Sequence, residues 1–305
     1  MYDKLLIPLD GSKTAEAVLP YARSLSRKLK FPVTLLTVID TSELSRSVSA
    51  ADGLYLDRLV EDETQRSAEY LAKIGETFVD GAVATRTEKG RTAEVIIESA
   101  AADKGTLIMM ATHGRSGLKR FLLGSVTEKV LRGANNPLLL VRANESAPTG
   151  GEATLKSVIV PLDGSELAES ILPVVEASAK KLGLEVVLFR AYMIPYGAYT
   201  AGEGFYDPVN LEAFRSGLRQ ESIDYLERRA AALRRNGVKN VSCVAKEGLS
   251  ADEIIKFARA TPDNLIAMCS HGYSGVKRWA LGSVTETLVR HAGDPVLVLR
   301  AQKLA

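Results

Sequence analysis

The sequence of 305 residues contains two copies of one pattern, and this internal repeat constrains the fold more than any other feature. The segment Pro-Leu-Asp-Gly-Ser occurs at 8–12 and again at 161–165, an offset of 153 residues. The segment Leu-Gly-Ser-Val-Thr-Glu occurs at 123–128 and again at 281–286, an offset of 158 residues. The residues that survive in both copies are enriched in what the fold or a site requires.

Each copy is about 150 residues long, which is enough to bury an ordinary single core. Between the copies, residues 144–154 are rich in Pro, Gly, Ser and Glu and show no hydrophobic periodicity, as is typical of a linker. We therefore predict a first domain over 1–143, a linker over 144–154 and a second domain over 155–305.

Bulk composition argues against several classes of partner. A net charge of +2 without a long basic run gives no electrostatic reason to expect nucleic-acid binding. No apolar run approaches the roughly 20 residues that span a bilayer, so we expect no membrane segment. Cys243 and Cys269 have no counterparts in the first copy, which argues against a shared disulfide or metal framework. We expect a cytoplasmic protein.

Each copy alternates short aliphatic segments with segments of helical periodicity. The predicted strands of the first copy lie near 4–9, 33–39, 83–88, 106–111 and 138–141, and those of the second near 157–162, 185–190, 241–246, 264–269 and 296–299. This alternation indicates an α/β fold with a doubly wound parallel sheet. Pro20 and Pro173 fall inside predicted helices, so we expect a kink or a late helix start there.

A glycine-rich segment follows the fourth strand of each copy and leads into a helix. Glycines let backbone amides approach a phosphate, and a helix N-terminus adds partial positive charge. However, Ser125-Val-Thr-Glu128 also has the capping-box pattern, which stabilises a helix start without any ligand. The spacing alone leaves both interpretations open, and the segment matches neither a P-loop nor the dinucleotide fingerprint.

Several polar residues have a structural alternative beside a functional one. Asp10 and Asp163 suit a turn that enters a helix as well as a ligand contact. His113 and His271 each stand without an acid or nucleophile nearby in sequence, which favours a loop or ligand-contact role over general-base catalysis. No cluster has metal-ligand spacing. We predict neither a catalytic residue nor a metal site in the protein itself.

These motifs together resemble the universal stress protein family. The resemblance rests on the strand-one Pro-x-Asp, the glycine segment and the closing Asn-Pro-Leu-Leu-Leu-Val strand, and it covers nearly the whole chain as two tandem domains. ATP-binding members carry G-x2-G-x9-G-S/T, which both copies match except at the first glycine, here Ala111 and Cys269. The resemblance implies a five-stranded parallel sheet of order 3-2-1-4-5 between helices in each domain. It also implies ATP as ligand, with Mg²⁺ arriving through the phosphates.

The resemblance also implies which residues form each site. In the first copy, Asp10 and Val38 would hold the adenosine, with Pro8 and Leu9 leading into the aspartate. Ala111 would lie near the ribose. The residues that would cradle the phosphates are Gly114, Gly124, Ser125 and Val126.

In the second copy the adenosine residues would be Asp163 and Ala191, preceded by Pro161 and Leu162. Cys269 would take the ribose position. The phosphate residues would be Gly272, Gly282, Ser283 and Val284. Cysteine in place of glycine and alanine in place of Val38 depart further from the family pattern, so we expect a weaker second site.

Three functions from different classes fit these observations. The first is a stress-response regulatory module that binds ATP or another adenine nucleotide, with at most weak hydrolysis. The second is an interaction protein that has lost its ligand, which the changed first glycines allow. The third is a slow ATPase or adenylyl-transferring enzyme, for which no nucleophile loop is found.

The last strand of each copy, Leu138 to Val141 and Val296 to Leu299, is short and apolar. An exposed apolar edge strand seeks a partner. Family members with one domain pair through this strand, so we expect the two domains to pair with each other through it around a pseudo-two-fold axis. A further homodimer is compatible with the pattern.

Overall fold

The computed structural model describes residues 2–41, 53–79, 81–113, 123–142, 150–194, 208–270 and 281–300. These residues form two compact units. Unit 1 contains the described residues of Met1–Thr154 together with Pro295–Arg300. Unit 2 contains the described residues of Leu155–Val276 and Leu281–Asp294.

Unit 1 is an α/β unit whose strands follow the predicted positions closely. Along the chain its elements are β1 (Lys4–Pro8), α1 (Lys13–Glu16), α2 (Leu19–Leu29), β2 (Val33–Ile39), α3 (Gly53–Gly75), β3 (Val83–Lys89), α4 (Thr92–Ala101), β4 (Thr106–Ala111), α5 (Ser125–Gly133) and β5 (Leu138–Val141). All six residues of β4 and all four of β5 are buried, as continuous aliphatic strands in a covered parallel sheet must be.

The first five strands pair in the order β3-β2-β1-β4-β5, and every one of these pairs is parallel. This is the predicted order for the first copy. Unit 1 also contains β10 (Val296–Leu299), which pairs antiparallel with β5. Leu297 lies opposite Leu139 in this ladder. The edge of β5 is thus covered by the last strand of the sequence, as the exposed apolar edge predicted.

Unit 2 repeats the element order of the first copy. Its elements are β6 (Ser157–Pro161), α6 (Glu166–Glu169), α7 (Leu172–Leu182), β7 (Glu185–Tyr192), α8 (Pro208–Arg235), β8 (Val241–Glu247), α9 (Ser250–Ala260), β9 (Asn264–Cys269) and α10 (Ser283–His291). The strands of unit 2 pair in parallel in the order β9-β6-β7-β8. This is the predicted order for the first four strands of the second copy, whose last strand is grouped with unit 1, where it pairs with β5.

The prolines in the first helical segment delay a helix start in both copies. In the first copy a short α1 ends at Glu16, and α2 begins at Leu19 with Pro20 in its first turn. In the second copy α7 begins at Leu172 with Pro173 in the same place. A proline at the start of a helix loses no hydrogen bond, since the first amides have no intrahelical acceptor.

The described end of the linker is bound to α2 of unit 1. Arg23 is only 9% exposed, and its guanidinium donates to the carbonyl of Gly151 at 2.9 Å and to Thr77 Oγ1 at 3.0 Å. Arg27 donates to both carboxylate oxygens of Glu152, each at 2.7 Å. The composition of this segment predicts a linker, but its last residues are held by charged hydrogen bonds.

Replacing Arg23 with methionine should lower the free energy of unfolding by about 2 kcal/mol, because two part-buried hydrogen bonds from a charged donor are lost. Urea unfolding followed by circular dichroism measures this change. Lys28→Met removes the same charge from an exposed position on the same helix and should cost less than about 0.5 kcal/mol. Equal effects of the two substitutions would show that Arg23 acts through net charge alone.

Candidate functional site

A cavity of about 450 Å³ lies in unit 1 at the carboxyl ends of β1, β2 and β4. Ligands of open parallel sheets bind at this end of the strands. Eight of the nine site residues predicted for the first copy line the cavity: Pro8, Leu9, Asp10, Val38, Ala111, Gly124, Ser125 and Val126. The ninth, Gly114, lies outside the described residues. Residues from three strand ends and one helix start thus meet at one site.

Asp10 makes the turn between β1 and α1. Its Oδ1 accepts hydrogen bonds from the backbone amide of Ser12 at 3.0 Å and from Ser12 Oγ at 2.6 Å. Ser12 in turn caps α1 by accepting from the amide of Ala15 at 3.1 Å. Gly11 between them has a φ of 79°, a conformation that favours glycine. Asp10 therefore forms the turn that its sequence context suggested, and it also lines the cavity.

The end of β2 forms the apolar and acidic wall of the cavity. Val38 lines it, and the neighbouring Thr37 is fixed because its hydroxyl donates to the carbonyl of Leu9 at 3.0 Å. Asp40 and Glu63 add two carboxylates that the motif argument missed. The position of Asp40 directly after an apolar strand was a usable signal. Glu63 belongs to a long helix whose sequence pattern gives no such indication.

The start of α5 forms another part of the cavity wall. The N-cap residue is Gly124, and among the described residues no side chain caps this helix start. Glu128 instead makes an intrahelical pair with Arg132, whose Nε lies 3.1 Å from Glu128 Oε1. The capping-box interpretation of Ser125 is therefore wrong, since Ser125 is the first helical residue and not the cap. The first amides of α5, beside a cavity, keep the partial positive charge that attracts anions.

Gly124 holds this helix start close to the end of β4. Its amide donates to the carbonyl of Thr112 at 2.8 Å. A β-carbon at Gly124 would lie 3.2 Å from that same carbonyl oxygen, closer than most carbon contacts. Thr127 Oγ1 donates to the carbonyl of Ala111 at 3.0 Å, which fixes α5 to β4 a second time. The glycine is thus needed for the close approach of two backbone segments, whereas the sequence pattern predicted a close approach to a phosphate.

His113 also lines the cavity. Its Nδ1 lies 3.0 Å from Thr112 Oγ1, and its Nε2 is buried without a hydrogen-bond partner among the described residues. Burial, and secondarily the charge of Arg142, lower the pKa of this imidazole below its ordinary value. A neutral imidazole whose second nitrogen is unpaired suits a ligand contact. Its counterpart His271 lies outside the described residues.

In unit 2 the predicted residues lie at the equivalent carboxyl ends. Asp163 Oδ1 accepts from the amide of Ser165 at 2.9 Å and from its Oγ at 2.6 Å, so the turn is the same as in unit 1. Gly282 precedes α10, which also starts without a side-chain cap among the described residues. The other predicted residues are placed at the ends of β6 (Pro161, Leu162), β7 (Ala191) and β9 (Cys269) and at the start of α10 (Ser283, Val284), while Gly272 lies outside the described residues.

Cys269 ends β9 at the position that Ala111 occupies in the first copy. Its Sγ lies 3.1 Å from Ser170 Oγ, and the side chain is buried. Burial raises the pKa of this thiol to about 11, so it is protonated at neutral pH and unsuited to nucleophilic chemistry. The cysteine acts here as a small buried side chain.

The raised pKa of Cys269 predicts a pH dependence of stability. Between about pH 9 and pH 11 the unfolded thiol loses its proton while the folded thiol keeps it, so stability falls as pH rises through this window. At pH 10 the loss should be about 1 kcal/mol. Cys269→Ala, which installs the first-copy residue, should give a shallower decline from pH 8 to pH 10 in urea unfolding. Parallel pH profiles for the two proteins would contradict the assignment.

Among the residues that the structure describes, no group of three or more His, Cys, Asp or Glu side chains could hold a metal ion. Within the same residues no helix is both long and apolar enough to cross a bilayer.

Comparisons with known proteins agree with the repeat. The universal stress protein of Methanocaldococcus jannaschii named MJ0531 is 31% identical over 144 residues, which cover 47% of this chain and 83% of that protein. A second one from the same organism, MJ0577, is 32% identical over 164 residues, covering 48% of this chain and 98% of that protein.

A solved structure shares the fold over the full length. The crystal structure of a universal stress protein from Archaeoglobus fulgidus matches with a TM-score of 0.68 and 22% identity, covering 99% of this chain and 100% of that one. The universal stress protein family profile matches twice, at residues 1–142 and 154–300. The chain therefore belongs to the universal stress protein family and carries two of its domains in tandem.

Proposed function

We propose that the cavity of unit 1 binds ATP and that binding regulates a stress-response function of this protein. The observation that carries the proposal is the start of α5, which no side chain of the described residues caps and where Gly124 and Ser125 line a cavity that the end of β2 also lines. A helix start of this kind is an anion site, and a triphosphate supplies the anion.

The rest of the cavity suits a nucleoside. A volume of about 450 Å³ lies within the range of small-molecule sites, and Val38 and Ala111 provide apolar wall for a base and a ribose. Asp10, Asp40 and Glu63 provide carboxylate oxygens that can accept from an exocyclic amine or from ribose hydroxyls. Mg²⁺ would enter with the nucleotide, held by its phosphate oxygens.

The same residues argue for binding rather than turnover. The hydrogen-bond partner of His113 is the hydroxyl of Thr112, not a carboxylate that would raise its basicity. In this proposal ATP stabilises one conformation or one partner-binding surface of the protein. Turnover with Mg-ATP above about one per second, an ordinary enzymatic rate, would replace this proposal with an enzymatic one.

Nucleotide content and thermal stability test the proposal together. Protein purified without added nucleotide and then denatured should release adenine nucleotide, detected by chromatography and absorbance. The stripped protein should gain thermal stability with ATP, and gain less with adenosine because the phosphate contacts at α5 are missing. A protein that releases no nucleotide and shows no thermal shift with ATP favours the second candidate, an interaction protein without a ligand. The second candidate is supported by Ala111, which occupies the position of the first glycine in the ATP-binding pattern.

A further inference from the structure

The duplication allows the two sites to be compared position by position, because their frameworks match. The turns at Asp10 and Asp163 make the same two hydrogen bonds. The strand beside each turn is in the same register, since Leu36 pairs with Pro8 and Phe189 with Pro161. The position after this pair is Thr37 in the first copy and Arg190 in the second.

These two residues give the sites different chemistry. Thr37 is a short, buried side chain that hydrogen-bonds to the backbone. The guanidinium of Arg190 instead lies beside the Asp163 turn. Its Nη2 would be 3.7 Å from a β-carbon placed on Gly164, which belongs to this turn. The same guanidinium lies over the ring of Tyr225, with 4.8 Å from its central carbon to the ring centroid. A cation stacked on an aromatic ring is held in place without losing its charge.

Arg190 forms no salt bridge with any other residue that the structure describes. Glu169 accepts from the hydroxyl of Tyr225 at 2.8 Å and is already paired with Arg229, whose Nε donates to it at 2.8 Å. The remaining carboxylate at the turn is Asp163, whose Oδ1 accepts two bonds from Ser165. Within the described part of unit 2, the donors of this partly buried guanidinium therefore have no hydrogen-bond acceptor.

The second site has also lost carboxylates that the first site has. Met193 occupies the position of Asp40. The residues directly before them, Ile39 and Tyr192, accept equivalent backbone hydrogen bonds from the amides of Gly90 and Gly248. Helices α3 and α8 can be aligned on Tyr70 and Tyr225, because their hydroxyls donate to the equivalent residues Glu16 and Glu169. In that alignment the position of Glu63 is occupied by Leu218.

We propose that unit 2 contains a site for a phosphate group at Arg190, beside the Asp163 turn and over Tyr225, where unit 1 has the carboxylates of Asp40 and Glu63. Arginine recognises phosphate oxygens through its planar pair of N–H donors, and removing two carboxylates removes the repulsion that an anion would meet. The two copies then differ in ligand class and not only in affinity. The proposal does not require ATP in the first cavity.

Phosphate titration of the full-length protein tests the proposal. The background carries Ser125→Asp, which places a carboxylate at the anion end of the first cavity and keeps that site from contributing. In this background, inorganic phosphate should raise the melting temperature as its concentration rises. Arg190→Met should weaken the apparent phosphate affinity about tenfold or more. Arg86→Met, which removes the same charge from an exposed strand position in unit 1, should leave it unchanged.

Adenosine monophosphate and adenosine distinguish the source of the phosphate group. A response to inorganic phosphate and to the monophosphate that Arg190→Met removes, with none to adenosine, supports a phosphate site at Arg190. A phosphate response that is equal in Arg190→Met and Arg86→Met, or no phosphate response in the background protein, overturns it. Arg190→Thr installs the first-copy residue and should behave like Arg190→Met. A loss of phosphate binding that occurs only in the methionine variant would point to a folding defect of that variant. Loss of ATP binding at unit 1 would overturn the proposed function and leave this result unaffected.

Discussion

Replacing Leu139 with aspartate should unfold the protein or lower its free energy of unfolding by more than about 4 kcal/mol. Leu139 is 2% exposed in the middle of β5, between Met109 of β4 and Leu297 of β10. A carboxylate there has no water and no cationic partner among these neighbours, so it must be buried charged, be buried protonated or leave the sheet. Each of these outcomes destabilises a strand that pairs with both β4 and β10.

Urea unfolding followed by circular dichroism measures the effect. Leu249→Asp is the matched control, because Leu249 is 59% exposed and the same change there should cost less than about 0.5 kcal/mol. If the free energy of unfolding of Leu139→Asp stays within about 1 kcal/mol of that of the parent protein, β5 is not a buried strand between β4 and β10.

Replacing Ser125 with aspartate should abolish ATP binding without destabilising the fold. Ser125 is the exposed first residue of α5, and a carboxylate in the first turn interacts favourably with the helix dipole by about 0.3 to 1 kcal/mol. The same carboxylate would face the phosphates of a bound nucleotide. Two like charges about 4 Å apart near a protein surface repel by roughly 4 kcal/mol, so ATP affinity should fall about a hundredfold or more.

Calorimetric titration with ATP measures the loss, and the second copy supplies the control. Ser283 occupies the same position at the start of α10, so Ser283→Asp makes the same change of charge and helix start. It should leave the affinity of the first cavity unchanged. Equal loss in both variants would point to net charge, and no loss in Ser125→Asp would place the phosphates away from α5.

The sequence predicts the strands well because their burial leaves little choice. β4 and β5 have the predicted bounds, since an uninterrupted aliphatic run in this fold must lie inside a parallel sheet. Pro20 also has the predicted consequence, because proline is tolerated only in the first turn of a helix. These features depend on local chemistry that the sequence states directly.

The features that the sequence did not reveal depend on tertiary context. Ser125 and Glu128 match a capping box, yet α5 begins one residue too early for it, because the amide of Gly124 is tied to Thr112. Glu63 reaches the cavity from a helix whose orientation the periodicity does not fix. Arg190 looks like an ordinary strand residue until Tyr225 and Gly164 are seen beside it.

A crystal structure of the protein grown with Mg-ATP tests whether the cavity of unit 1 binds the nucleotide. We expect electron density for one nucleotide in this cavity, with the base beside Val38 and Asp10 and the phosphates at Gly124 and Ser125. Density for the nucleotide at another place, or an empty cavity at a saturating ATP concentration, would contradict the claim that this cavity is the ATP site.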